Sequence, residues 1–218
     1  GIAVPGIFNA QGDLILLAPT MQLHGVSTAQ LTSALPYPHF VCNDATAGGY
    51  AEWFAQDSRE SIAYLSLENG VGGALLLDGA PYNGTNGRSG EFGHICVEPG
   101  GLACKCGKRG CLEAYCSAAR VSDDLGISLQ DFFDGLAHNA AHRALWQDYL
   151  QHLAAGINSI RMILDCSVVI GGGMTPYLAP YLPRLHELAA ELNPFEGSAE
   201  YIRLCRHPRR ATLLGVAL

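Results

Sequence analysis

The feature that most constrains this chain is the stretch from Glu91 to Glu113, EFGHICVEPGGLACKCGKRGCLE. One histidine and three closely spaced cysteines fall here in a segment too rich in glycine and proline for regular structure. Cys104, Cys106 and Cys111 offer three thiolates from one loop, and His94 offers an imidazole from just upstream. Zinc takes such a set as a closed tetrahedron, and closed sites are structural. Gly107 and Gly110 permit the tight turns that fold a loop around an ion, and Pro99, Gly100 and Gly101 bend the chain between histidine and cysteines. The competing reading is a set of buried or disulfide-paired cysteines. The other five, Cys42, Cys96, Cys116, Cys166 and Cys205, sit mostly among apolar residues and read as reduced core positions, as expected in a cytoplasm.

The formal net charge of −7 argues against direct grip on nucleic acid, so any DNA-binding part would have to lie elsewhere. No apolar run approaches the roughly 20 residues needed to cross a bilayer, and no signal peptide opens the sequence, so a soluble cytoplasmic protein is expected. The chain starts directly in an apolar run, GIAV, and stops in another at Leu218, which reads as a fragment of a longer protein.

The rest of the chain alternates short apolar runs with helical stripes. Runs at 2–4 and 14–17, separated by Pro5, Gly6 and the turn residues 9–13, suggest a hairpin. A brief strand at 40–42 ends at Asn43 and Asp44, followed by a small-residue helix over 45–54. The polar pair either faces a ligand or, in the simpler reading, Asp44 caps the helix. A strand at 61–67, a glycine turn over 68–73 and a strand at 74–77 come next, before an Asp78-Gly79 turn. Glu91 and His94 are three apart and share a face of a helical turn. Helix is expected from 113 to 120, and Ser128 with Asp131 reads as a capping box for 129–138.

Leu145, Tyr149, Leu153, Ile157, Ile160 and Leu164 then mark a long amphipathic helix whose stripe is core, with His138, His142 and His152 on polar faces. A buried strand at 167–170 runs into Gly171, Gly172 and Gly173, then a helix over 177–192, a strand at 201–204 and a helix over 212–218. Glu98, Lys105, Lys108 and Arg109 read as a solvated face.

Glu-x-Gly-His followed by Cys-x-Cys-Gly-x-x-Gly-Cys-x-Glu resembles the signature of the ROK family of bacterial sugar kinases and sugar-responsive transcriptional regulators. The resemblance implies an α/β, actin-like ATPase (ribonuclease H-like) fold of two lobes with a zinc-binding loop. It would divide the chain into residues 1–44 at the end of an N-terminal lobe, 45–206 as a C-terminal lobe carrying the zinc loop 91–113, and 207–218 as a helix returning to the first lobe. It also implies a small-molecule sugar held by Asn43, Asp44, Glu91, His94 and Glu113, with His94 also on the zinc and Asp44 as general base in a kinase. Gly70, Gly72, Gly73, Gly171, Gly172 and Gly173 would approach the phosphates and adenosine of ATP with its Mg. The glycine stretches also have a plainer reading, as a hairpin and a strand-to-helix turn. Homodimers or homotetramers are implied as well, and, in a regulator, contact with DNA only through an N-terminal segment absent from this chain.

One departure bears on function. Where the kinases typically carry Gly-Thr-Gly, this chain has Glu68-Asn69-Gly70. A carboxylate beside polyphosphate is repulsive by about 1 kcal/mol in water and more where water is excluded. The residues therefore lean toward the effector-sensing region of a sugar-responsive regulator, with an ATP-dependent hexose or N-acetylhexosamine kinase as the alternative.

Overall fold

A computed structural model describes residues 1–18, 21–56 and 58–218. The chain opens with β1 (Ile2–Val4), β2 (Ile7–Phe8), β3 (Leu14–Ala18), β4 (Leu23–Ser27), α1 (Thr28–Leu31) and β5 (Val41–Asn43). The expected hairpin forms, but with β2, not β1, as the partner of β3. Pro5 cannot donate to a ladder and Gly6 has a φ of 131°, so the chain turns a corner after Val4. That corner frees β1 to pair in parallel with β5, Val4 opposite Asn43, while β2, β3 and β4 make an antiparallel sheet.

α2 (Asp44–Ala55) leads into β6 (Ile62–Leu67), β7 (Val71–Leu77) and β8 (Ala80–Pro81). The turn after β6 is shorter than the sequence suggests. Val71 is already in β7, and Gly72 and Gly73 pair with Ser66 and Leu65 inside the ladder, so only 68–70 form the bend. Gly72 and Gly73 are therefore strand residues beside the bend, with Gly72 exposed. Gly73 is needed for a packing reason: a Cβ there would collide with both the Gly90 carbonyl and the Phe92 ring, whose Cδ2 would lie 2.5 Å away.

The helices α3 (Leu112–Cys116), α4 (Ala118–Val121), α5 (Leu129–Gly135) and α6 (Ala140–Leu164) follow. The helix expected over 113–120 is broken at Ser117, whose extended backbone lets its hydroxyl accept the Arg120 N–H and cap α4. Ser128 caps α5 as its spacing with Asp131 suggests. β9 (Ser167–Gly171) then runs parallel to β6. Prolines at 176, 180 and 183 break the next helix into α7 (Thr175–Leu178), a 3₁₀ turn and α8 (Leu182–Leu192). β10 (Ile202–Leu204) and α9 (Ala211–Ala217) end the chain.

The main sheet has the order β10-β9-β6-β7-β8, parallel from β10 to β6 and antiparallel thereafter. Both faces are covered, so β6 is buried along its length except at Ser66 and does not alternate with polar residues. Ala63, Leu65 and Leu67 pack with the α6 stripe on one face, and Ile62 and Tyr64 with Trp53 of α2 and Ala211 of α9 on the other. Tyr149, Leu153, Ile157 and Ile160 of α6 are buried as their spacing predicts, with Trp146 added to the stripe.

His142 and His152 depart from the polar-face expectation. His142 stacks on Phe132 at 4.9 Å and His152 on Tyr115 at 3.9 Å, whereas His138 is exposed. Cys116, Cys166 and Cys205 are buried and Cys42 half-buried, but Cys96 is exposed, and all eight cysteines are free thiols.

α9 crosses α2 so closely that a Cβ on Gly215 would strike the Ala47 carbonyl oxygen. A backbone atom cannot rotate away, so crowding should outweigh the helix propensity that alanine adds. Gly215→Ala is expected to lower unfolding free energy by about 1–3 kcal/mol. Urea denaturation at constant m-value checks this, and an unchanged midpoint would contradict so tight a crossing.

Candidate functional site

Three backbone features converge at the carboxyl end of the parallel strands, the edge where open α/β sheets bind ligands. They are the end of β5 at Asn43, the 68–70 turn after β6, and the 171–173 turn after β9.

Asn43 is the N-cap of α2. Its Oδ1 accepts the Thr46 N–H at 3.0 Å and its Nδ2 donates to the Gly6 carbonyl at 2.9 Å. The capping role considered for Asp44 thus belongs to its neighbour, and both functions of the Asn43 amide are engaged by backbone. Asp44 is the first residue of α2, half-buried, with Oδ1 accepting the Ala45 N–H at 2.9 Å. Burial pushes its carboxyl above the ordinary aspartate range, against the lowering effect of that backbone bond. Thr212 of α9 donates to the Asp44 carbonyl at 3.2 Å, tying the last helix to the start of α2.

Glu91 precedes the 3₁₀ turn Phe92–His94, and its carboxylate lies 4.0 Å from His94 Nε2. Burial raises the Glu91 carboxyl, His94 lowers it, and the like charges of Glu113 and Asp44 raise it further. Glu91, Glu113 and Asp44 therefore belong to one electrostatic site. Glu113 is the most committed of the three. Its Oε2 accepts the Val71 N–H at 3.0 Å and its Oε1 lies 3.7 Å from Cys104 Sγ, so it locks the start of β7 to the cysteine loop.

The opposite face of His94 meets the cysteines. One donor atom from each of His94, Cys104, Cys106 and Cys111 lies within 4.8 Å of the others. Cys106 and Cys111 sulfurs are 3.7 Å apart, and Cys104 sulfur is 3.9 Å from His94 Nδ1. Tetrahedral zinc with Zn–S bonds of about 2.3 Å calls for sulfur separations near ~3.8 Å, so donor set and spacing both fit the ion. Isolated antiparallel β-bridges of the backbone, at Cys96 opposite Cys111 and Ala103 opposite Arg109, shape the loop. Lys108 and Arg109 do more than face solvent, since they donate to the His94 and Gly100 carbonyls at 2.9 and 3.2 Å. Tyr115, unremarked in the sequence, anchors the loop by accepting the Leu102 N–H at 2.8 Å.

The glycine turns are brought together, but not as an empty cradle. Gly172 has a φ of 90° and packs on the Leu67 carbonyl, where a side chain would collide. Gly173 donates its N–H to Glu68 Oε1 at 2.9 Å. Gly70 faces Glu113, and a Cβ on it would lie 2.7 Å from Oε2. Desolvation raises the Glu68 carboxyl, the Gly173 bond lowers it and Asp44 raises it, although one side of the residue remains open to solvent. Glu68 reads in the sequence only as an intruder. Its partner lies 105 positions away, a pairing no local pattern signals.

Among the described residues no helix is long and apolar enough to cross a membrane. The sequence profile of the ROK family matches residues 1–218. An N-acetylmannosamine kinase from Salmonella typhi is 32% identical over the whole chain, which covers 77% of that protein. A ROK hexokinase from Thermus thermophilus superposes with a TM-score of 0.84 at 29% identity, over all of this chain and 76% of the other. A ROK family transcriptional regulator, a homolog of the E. coli MLC protein, superposes at 0.79 with 24% identity, over 99% of this chain and 60% of its own, and shares the fold.

Proposed function

Since this chain belongs to the ROK family and has its α/β, actin-like fold, we propose that it forms most of a cytoplasmic sugar kinase that transfers phosphate from ATP to N-acetylmannosamine or a closely related hexosamine. The leaning toward a regulator drawn from Glu68 and Asn69 gives way here. The relative matched along the whole chain at 32% identity is a kinase, whereas the regulator neighbour supports the fold alone.

The observation that carries the reading is Asp44. A half-buried carboxylate at the first residue of a helix, one oxygen held by the Ala45 N–H, leaves the other to meet a hydroxyl. In the proposed reaction a sugar hydroxyl gives its proton to Asp44 as its oxygen bonds to the terminal phosphorus of MgATP. The bond from that phosphorus to the bridging oxygen breaks, ADP leaves, and Asp44 returns the proton to water. Glu91 and the Nε2 face of His94 are assigned to the sugar hydroxyls, and Glu113 to bracing the site through Val71. Zinc, on His94 Nδ1 and the three cysteines, would fix the imidazole without joining the chemistry. The lobe division at 44 and 206 is part of the same proposal.

A regulator remains the second reading because Glu68 holds an N–H of the glycine turn. The test is ADP release by the full-length protein with MgATP and N-acetylmannosamine, compared with N-acetylglucosamine and glucose. Turnover on the hexosamine supports the kinase. Saturable sugar binding without any ADP release favours the regulator.

A further inference from the structure

The carboxylate of Glu68 bridges two turns that the fold presses together. Its Oε1 accepts the Gly173 N–H at 2.9 Å, and its Oε2 sits 3.1 Å from where a Gly173 side chain would begin. The backbone beneath it is held firmly. Glu68 N–H donates to the Gly70 carbonyl at 2.9 Å, its carbonyl accepts the Ala118 N–H at 2.7 Å, and the adjacent Leu67 carbonyl accepts the Met174 N–H at 3.2 Å. A cavity of about 300 Å³ opens beside the bridge, lined by Glu68, Gly173, Arg209 and Thr212 along with apolar atoms of Pro208 and Leu213. Among the described residues no carboxylate forms an ion pair with Arg209. The cavity thus brings together the Gly173 N–H, the Arg209 guanidinium and the Thr212 hydroxyl, the last donating to the Asp44 carbonyl; these are donors suited to an anion, and a carboxylate of the chain already takes the backbone one.

We infer that Glu68 is the donor-selectivity residue of this protein: a tethered carboxylate occupies the 171–173 turn as an internal anion, and the phosphates of a nucleotide must displace it. The inference rests on the kinase reading and deepens it. Because the occupant is covalently attached, its effective concentration at the turn is high, and it raises the apparent Kd for nucleotide by a constant factor. The penalty acts on phosphate charge and spares the nucleoside, which sets it apart from a merely structural role for Glu68.

Glutamine at position 68 keeps an oxygen for the Gly173 N–H but removes the charge, and glycine removes both. Titration calorimetry of the full-length protein with MgATP, MgADP and adenosine, each with N-acetylmannosamine present, separates the effects. Glu68→Gln is expected to bind MgATP at least about tenfold more tightly than the unsubstituted protein, Glu68→Gly more tightly still, with adenosine and sugar affinities unchanged. Equal MgATP affinity in all three proteins overturns the inference, as does an equal gain for adenosine. If the unsubstituted protein phosphorylates sugar and the variants gain nothing, the inference falls and the kinase reading stands. If only the variants bind MgATP, the inference stands and the kinase reading falls. If none binds nucleotide while sugar still binds, both fall.

Discussion

Asp44→Asn is expected to lower kcat for sugar phosphorylation by about 10²–10⁴-fold, the usual contribution of a positioned general base, with sugar Kd changed by less than about threefold. The substitution is nearly isosteric, and its amide oxygen can still accept the Ala45 N–H that holds Oδ1 at 2.9 Å. What is lost is the capacity to take a proton. Misfolding is not expected to confound the result, because burial raises the Asp44 carboxyl in the folded chain. A raised carboxylate binds protons more tightly folded than unfolded, so its ionisation opposes folding above the folded pKa. That cost is relieved as pH falls through the interval between the two values. Removing the charge should therefore leave Tm equal or higher at neutral pH. The same shift places the acid limb of the kcat/KM profile above the ordinary aspartate value of about 3.9, and the limb should vanish from the residual activity of Asp44→Asn. A variant with full kcat, or an unchanged acid limb, would remove Asp44 from the role of base.

What the sequence disclosed follows from the range of the interactions involved. The α6 stripe and the Ser128 cap are set by neighbours three and four residues apart, and both stand in the structure as spacing suggests. The cysteine loop is local too, and its four donors converge. Strand partners were harder to read, since β1 finds β5 some forty positions on, and only the Pro5-Gly6 corner hints that the hairpin belongs to Ile7 and Phe8. The extent of the turn at 72 and 73 is hard to read for a related reason. A glycine-rich run looks like a loop, but here it is strand, kept small by the close approach of Gly90 and Phe92. The division of labour between Asn43 and Asp44 turned on which residue leaves the strand and which enters the helix, a one-residue distinction beyond pattern reading. His152 looked polar because its stacking partner, Tyr115, lies on another helix.

The second large effect concerns the loop. Purified protein is expected to carry one zinc per chain, and Cys106→Ser to weaken metal binding by at least about 100-fold, above the range seen when only a supporting contact is removed. Cys106 is the informative ligand because it is exposed, whereas Cys104 and Cys111 are buried. Serine at a buried position would disturb packing whether or not a metal were present. At 106 a loss of stability has no such source and must come through the ion. Apart from an ion, the loop's order comes from turns and their backbone hydrogen bonds, two isolated β-bridges and the contacts of Lys108, Arg109, Glu113 and Tyr115. Metal binding and folding are linked in such segments, so chelation should lower Tm and expose the loop to protease. The effect should reach the sugar as well. His94 shares its two nitrogens between Cys104 and Glu91, so an imidazole released at Nδ1 is no longer aimed at Nε2, and KM for sugar should rise more than kcat falls. Cys96→Ser is the control, an exposed cysteine of the same loop outside the four-donor set, and should change neither zinc content nor KM. Elemental analysis decides the first step: folded, active protein without zinc, or Cys106→Ser with full zinc occupancy after dialysis against a chelator, would sink the assignment.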